Sequence, residues 1–210
     1  MSVPTGAADD LLVVPGRQEW RAWLDANEHE SDGVWLVLAK KGTLLPTSLR
    51  YDEALEEALC SGWIDGQKKG LDAATFRQRF TPRRRASMWS ERNVGLVARL
   101  VEEGRMRPRG HAEVERARAD GRWDRAYAGA ATAQVPADLA DSLAQHPVAG
   151  TRFATLSGQE RYSILHRVLT APSASSRTAR IRRAVETLEH GAPHERTRMP
   201  QQDGETPPGR

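Results

Sequence analysis

Six apolar residues stand in succession between Gly33 and Lys40: Val34, Trp35, Leu36, Val37, Leu38 and Ala39. A surface helix would show a polar stripe at its 3.6-residue period, and a half-buried strand would alternate apolar with polar. This run does neither. It reads as a central strand, within Gly33–Lys41, whose two faces are both covered. The chain is thereby committed to a sheet with other elements packed on either side.

The flanking sequence supplies those elements. From Pro15, the stretch GRQEWRAWLDANE places Trp20, Trp23, Leu24 and Asn27 at helical spacing, and Ser31, Asp32 and Gly33 break the helix. Asp52 is placed to cap a second helix, whose buried stripe is Ala54, Leu55, Ala58 and Leu59 and whose left-handed C-terminal position falls at Gly62. The period then changes to two. WIDGQKKG and ATFRQRF form an antiparallel hairpin turning near Gly70, Leu71 and Asp72, with Phe76, Gln78 and Phe80 on one face and Arg77 and Arg79 on the other. Pro82 has no amide proton to donate, so pairing ends there. Ser90 caps a third helix with Asn93 at its third position, carrying Val94, Val97, Leu100 and Val101 inward and closing at Gly104. A shorter helix runs from Pro108 to Gly121. After a linker near AGAATAQ, about three more helices follow: one with Pro136 in its first turn, one opened by the capping box Ser157–Glu160, and one striped by Ile181, Ala184, Val185 and Leu188 and stopped at Gly191.

The expected fold is α+β: a small antiparallel sheet of about three strands packed with helices, followed by a helical C-terminal unit. The divisions read as a flexible leader over 1–14, an α+β core domain over 15–127, a linker over 128–135, a helical unit over 136–191 and a disordered tail over 192–210, rich in Pro, Gly and charge. The 210 residues are enough to bury a core without disulfides. A lone cysteine excludes an intramolecular disulfide framework, and no cysteine/histidine spacing suggests a metal site. The N-terminus lacks a basic start followed by an apolar run, and no stretch approaches the roughly 18 apolar residues of a membrane span. A cytoplasmic protein without a membrane span is expected, and the sequence leaves its oligomeric state open. The formal charge is only +3, but the sequence pI is about 9.3 and the cations are overwhelmingly arginine. A GC-rich genome accounts for that as simply as an anionic partner does.

Four segments are distinctive together: YDEALEEALCSGWIDGQKK, RQRFTPRRRASMWSERN, EEGRM and ADGRWDRAY. Over roughly residues 15–190 the chain resembles the YdeI/OmpD-associated family, also called bacteriocin-protection or OmdA-like. The resemblance implies protection from bacteriocins or cationic peptides, and brings with it no reaction and no cofactor. The family's C-terminal part reads Ala-Lys-x-x-Glu-Thr-Arg before an arginine-rich helix. Here Pro172, Ser175 and Ser176 replace the lysine, glutamate and threonine, while Arg177, Arg180 and Ile181 match. The porin association in the family's name requires export and is not carried over.

Candidate site residues gather around GWIDG and the helix start that follows PRRR. A carboxylate early in an apolar strand is costly unless partnered, so Asp65 either forms a turn ahead of Gly66, pairs with the basic residues of the hairpin and of Arg83–Arg85, or faces a ligand. The amide protons near Ser90 and Asn93, beside Arg83 and Arg84, make a natural anion site. Trp63, Trp89 and Phe80 either line it or belong to the core. Cys60, beside an apolar helical stripe and without a histidine base in its motif, reads as packing. The leading expectation is a non-enzymatic protein that binds an anionic or polar small molecule, or a protein partner, through Trp63, Asp65, Arg83, Arg84, Trp89, Ser90, Asn93 and Lys41. Nucleic-acid binding through Arg77–Arg85 ranks behind it, because Asp52, Glu53, Glu56, Glu57, Glu102 and Glu103 flank that segment. An enzyme using Asp65, Lys40, Lys41 and the arginines on a small polar substrate ranks third, since no phosphate loop, nucleophile elbow or metal motif is present.

Overall fold

The apolar run forms β2 (Val34–Ala39), with five of its six side chains buried. In the computed structural model, which describes residues 11–190, the chain divides into two compact units with the boundary between Tyr127 and Ala128. The N-terminal unit holds β1 (Leu11–Leu12), α1 (Arg17–Asn27), β2, α2 (Tyr51–Cys60), β3 (Trp63–Gly70), β4 (Thr75–Pro82), α3 (Glu91–Glu102) and α4 (Pro108–Ala119). The C-terminal unit holds α5 (Ala137–Ala144), α6 (Pro147–Thr155), α7 (Gly158–Leu169) and α8 (Ala174–His190).

The sheet has four strands in the order β1-β2-β4-β3. Strands β2 and β4 pair antiparallel from Val34↔Phe80 to Ala39↔Thr75, and β3 joins β4 as the expected hairpin from Trp63↔Pro82 to Gly70↔Phe76. A bulge interrupts the hairpin between Asp65 and Lys68, where Gln78 donates through Nε2 to the Gly66 carbonyl at 2.8 Å. The sheet differs from expectation in being mixed. Leu11–Leu12 add a short strand parallel to β2, and Val14 is buried, so residues 11–14 are structural and not a loose leader. A two-residue strand carries too little pattern to be recognised beforehand. The earlier residues of the proposed leader, the proposed tail and Gly191 lie outside the described residues.

One core lies between α1 and the sheet, built on Trp20, Leu24, Leu36, Leu38, Trp63 and Phe80. A second joins α2, α3 and α4 through Leu55, Leu59, Cys60, Trp89, Val97 and Leu100. Two local expectations are corrected. The N-cap of α2 is Arg50, whose amide donates to the Glu53 carboxylate at 3.0 Å, while Asp52 pairs with the Arg50 guanidinium. Val101 is exposed, because the inward face of α3 is narrower than its apolar sequence and runs through Asn93, Val97 and Leu100. The C-terminal unit has four helices instead of about three, sharing a core of Leu139, Phe153, Leu165, Val168, Ile181 and Val185. Among the described residues no helix is long and apolar enough to cross a membrane.

Glycine sets the approach of α4 to α2. Gly62 takes the left-handed conformation (φ +71°) that turns the chain from α2 into β3. Gly110 lets the first turn of α4 lie on the Cys60 carbonyl, which also accepts the Arg107 amide at 3.0 Å; a Cβ at position 110 would collide with that carbonyl. Gly110→Ala is therefore expected to cost about 1–3 kcal/mol despite alanine's better helix propensity. Equilibrium unfolding followed by tryptophan fluorescence reads this directly, since all six tryptophans precede residue 128.

Candidate functional site

The hairpin register decides which side chains meet. Trp63 lies opposite Pro82, and the Arg83 amide donates to the Gly62 carbonyl at 3.0 Å, so the start of β3 and the chain past β4 leave the sheet together. Asp65 is two residues into β3, opposite Phe80. From the other side, the segment before α3 is fastened by Tyr127, which pairs with Ser90 in a parallel bridge: its amide donates to the Trp89 carbonyl at 2.9 Å and its carbonyl accepts the Glu91 amide at 3.0 Å. Buried Arg122 adds an Nη1 bond to the Ser87 carbonyl at 2.7 Å.

Arg83 sits at the centre of this corner and is only 5% exposed. Its guanidinium lies flat on the Trp89 ring, with Cζ 3.5 Å from the centroid, and Nη1 donates to the Met88 carbonyl at 3.3 Å. Nε and Nη2 have no hydrogen-bond partner among the described residues. Burial pulls the guanidinium down to about 10, against the attraction of Glu113, Tyr127 and Asp65 and with a further push from Arg122. Asp65 is thus within electrostatic reach of Arg83, but its hydrogen-bonding partner is Tyr51, whose hydroxyl donates to Oδ2 at 2.8 Å. Burial, then the Asp65 carboxylate, pushes the Tyr51 phenol up to about 12, and the same two causes raise Tyr127. Arg92 reaches back from α3 over the Tyr51 ring, Cζ 5.5 Å from its centroid. Ser90 caps α3 as expected, accepting the Asn93 amide at 3.2 Å, and is hydrogen-bonded to Tyr127.

The expected residues fall into three groups. Asp65, Arg83, Trp89, Ser90 and Asn93 converge. Trp63 lies beneath them as fully buried core, edge-on to Trp23 with centroids 5.8 Å apart. Arg84 and Lys41 do not join. Arg84 is exposed on the turn closed by Ser87, whose hydroxyl accepts the Arg84 amide at 3.0 Å. Lys41 follows the far end of β2, where Ala39 pairs with Thr75. The basic segment Arg77–Arg85 is divided likewise, with Arg83 inward and Arg84 and Arg85 exposed. Tyr51, Arg92, Glu113 and Tyr127 belong to the corner and were missed. Two of them begin or end distinctive segments, YDEAL and DRAY, and that was the available signal. Cys60 is buried in the second core, and burial, then Glu57, pushes its thiol up to about 12. At neutral pH it is a protonated packing group. Among the described residues no group of three His, Cys, Asp or Glu side chains is placed to hold a metal ion.

The C-terminal unit carries a groove of its own. A groove of about 540 Å³ between α7 and α8 is lined by Arg167, Arg180 and Arg183 over Ile164, Ala184 and Leu188. Arg180 Nη1 donates to the Arg167 carbonyl at 2.6 Å.

The comparisons with known proteins fall on the two units separately. Residues 12–113 match a family model described as "Domain of unknown function (DUF8412)", and residues 132–191 match one described as "Bacteriocin-protection, YdeI or OmpD-Associated". The GWIDG and PRRRASMWS segments lie in the first match, while the named family's model falls on the C-terminal helices. No curated protein and no solved structure matches the chain.

Proposed function

We propose that this chain, in which a YdeI/OmpD-associated domain occupies residues 132–191, is a cytoplasmic, non-enzymatic binding protein with the protective role that the domain's description names. The ligand is a small molecule or chain end with a carboxylate or phosphate for Arg83 and a hydrogen-bond donor for Asp65. One observation carries this reading: among the described residues Nε and Nη2 of the nearly buried Arg83 guanidinium have no hydrogen-bond partner. Those two nitrogens form the same edge of the planar group, and their spacing matches two oxygens of a carboxylate or phosphate. Leaving them unpaired in a desolvated corner is unfavourable, so an anion that takes both is bound with more than its surface strength. Trp89 fixes the plane of the fork. The hydroxyls of Tyr51, Tyr127 and Ser90 add neutral partners, and the amino end of α3 favours negative charge.

Thermal unfolding of the full chain, followed by tryptophan fluorescence, tests this with phosphate, acetate and free amino acids against chloride at equal ionic strength. A ligand at about a hundred times its Kd adds roughly 2.7 kcal/mol to stability, a shift of several degrees. Arg83→Lys keeps the charge but lacks the fork, and is expected to abolish the shift. Stabilisation that survives Arg83→Lys and disappears in Arg180→Met would move the anion to the α7–α8 groove and remove this assignment. So would the absence of any stabilisation of the native protein.

A further inference from the structure

Of the 31 lysines and arginines only four are lysine, at positions 40, 41, 68 and 69. The fold brings all four to one end of the sheet. Lys40 and Lys41 follow β2 at the end where Ala39 pairs with Thr75, and Lys68 and Lys69 end β3 where Gly70 pairs with Phe76. The loop after β2 is bound to the hairpin turn: the Lys40 amide and the Thr43 hydroxyl both donate to the Ala74 carbonyl at 2.9 Å, and Lys40 Nζ donates to the Asp72 carbonyl at 2.6 Å. Lys68 Nζ lies 4.2 Å from the Phe76 ring centroid and Lys69 Nζ 5.0 Å from that of Trp35, so both stems rest on the sheet. Leu44 and Leu45, 76% and 82% exposed, and Leu71, 44% exposed, protrude among these lysines. The first two are the most exposed large apolar side chains among the described residues. One carboxylate, Asp72, occurs in the segments 39–49 and 66–77, and it is engaged by the turn, accepting the Ala74 and Thr75 amides at 2.8 and 2.7 Å and the Thr75 hydroxyl at 2.7 Å.

We propose that this lysine-ringed leucine tip docks on an anionic lipid surface, with Leu44, Leu45 and Leu71 entering the interface and the four lysines lying at the headgroups. The composition selects a membrane over a protein partner. Protein interfaces concentrate binding energy in Trp, Tyr and Arg, and among the described residues the long-range ion pairs to carboxylates are made by arginine. At the tip the chain uses lysine, a compact charge on a flexible stem that needs no bidentate partner and suits a diffuse anionic surface. A few inserted apolar side chains with several lysines supply the two signals, burial and charge, that hold a protein reversibly on anionic lipid. The hydrogen bonds between loop and turn present the leucines as one fixed projection.

Co-sedimentation of the full chain with phosphatidylcholine vesicles, with and without phosphatidylglycerol, decides the matter. Binding is expected only to the anionic vesicles, weakening as salt is raised. At roughly five-fold per lysine, Lys41→Glu with Lys69→Glu is expected to lower partitioning about thirty-fold or more. Leu44→Ser with Leu45→Ser, both at exposed positions, is expected to abolish binding while circular dichroism stays unchanged. Arg182→Glu with Arg183→Glu makes the same change in net charge on α8 and is expected to bind within a few-fold of the native chain. The proposal is overturned if the native chain stays in the supernatant with anionic vesicles. It is equally overturned if the α8 variant loses as much as the lysine variant, or if the leucine variant binds like the native chain.

Discussion

Glu57→Ala is expected to lower the stability of the N-terminal unit by about 3–5 kcal/mol, although the residue touches neither the sheet nor the candidate site. Glu57 is buried on α2 and takes three arginines: Arg17 Nε and Arg105 Nη2 on one oxygen at 2.7 and 2.9 Å, and Arg107 Nη2 on the other at 3.1 Å. Its neighbour Glu56 accepts from Arg17, Arg99 and Arg105 at 3.0, 2.5 and 3.0 Å, and Arg107 also reaches Asp25. These groups belong to α1, α2, α3 and the segment entering α4, so the two neighbouring carboxylates together tie four parts of the chain, Glu57 joining three of them. Truncating Glu57 removes the most buried carboxylate of the network, leaving the largely covered Arg107 with only Asp25 and Arg105 with only Glu56 and Glu103 to offset their desolvation. Asp52→Ala, which breaks only the exposed pair with Arg50, should leave stability nearly unchanged. The check is urea unfolding monitored by tryptophan fluorescence. A loss for Glu57→Ala below about 1 kcal/mol would mean that the arginines swing out to water and that the network is a surface feature.

Arg83→Met should behave in the opposite sense: the N-terminal unit is expected to stay as stable or to gain about 1–3 kcal/mol, while the anion response disappears. Among the described residues two nitrogens of this buried charge find no acceptor, and each unmet donor costs about 1–3 kcal/mol. Methionine occupies a similar volume on the Trp89 face with nothing to satisfy. The change forfeits the stacking of guanidinium on indole, about 2 kcal/mol when desolvated, which limits the gain. The same urea titration measures it. A loss of several kcal/mol would show that Arg83 is paired in solution, to Glu113 or Asp65, and that its edge is not free for a ligand. A gain in stability accompanied by a lost function is the pattern of a residue kept for binding.

The elements themselves were readable because each rests on a local rule. VWLVLA lacks both periods and is central in the sheet; WIDGQKKG and ATFRQRF alternate and pair; Ser90 and Ser157 stand where orphan amides need an acceptor, and both cap helices. Gly62 sits where only a residue tolerant of positive φ closes a helix cheaply. The misses are places where a long-range contact outweighs the local rule. Leu11–Leu12 become a strand only because β2 offers an edge. At the start of α2, Asp52 is a good cap by type, yet Arg50 takes the position and Asp52 turns to pair with its side chain.

The candidate site divides the same way. Sequence alone located the corner, because a carboxylate in an apolar strand and arginines ahead of a capped helix are visible as types in order. Which arginine of PRRR turns inward, that Tyr51 and not a cation holds Asp65, and that Tyr127 pins the start of α3 depend on residues 14 to 37 positions apart meeting in space. Hydrogen bonding and desolvation act over a few ångströms, whereas sequence patterns report neighbours along the chain. The one-dimensional code therefore determined the strands, the caps and the types of residue at the site, and only the tertiary structure decided which of those residues are partnered and which buried charge is left with an open edge.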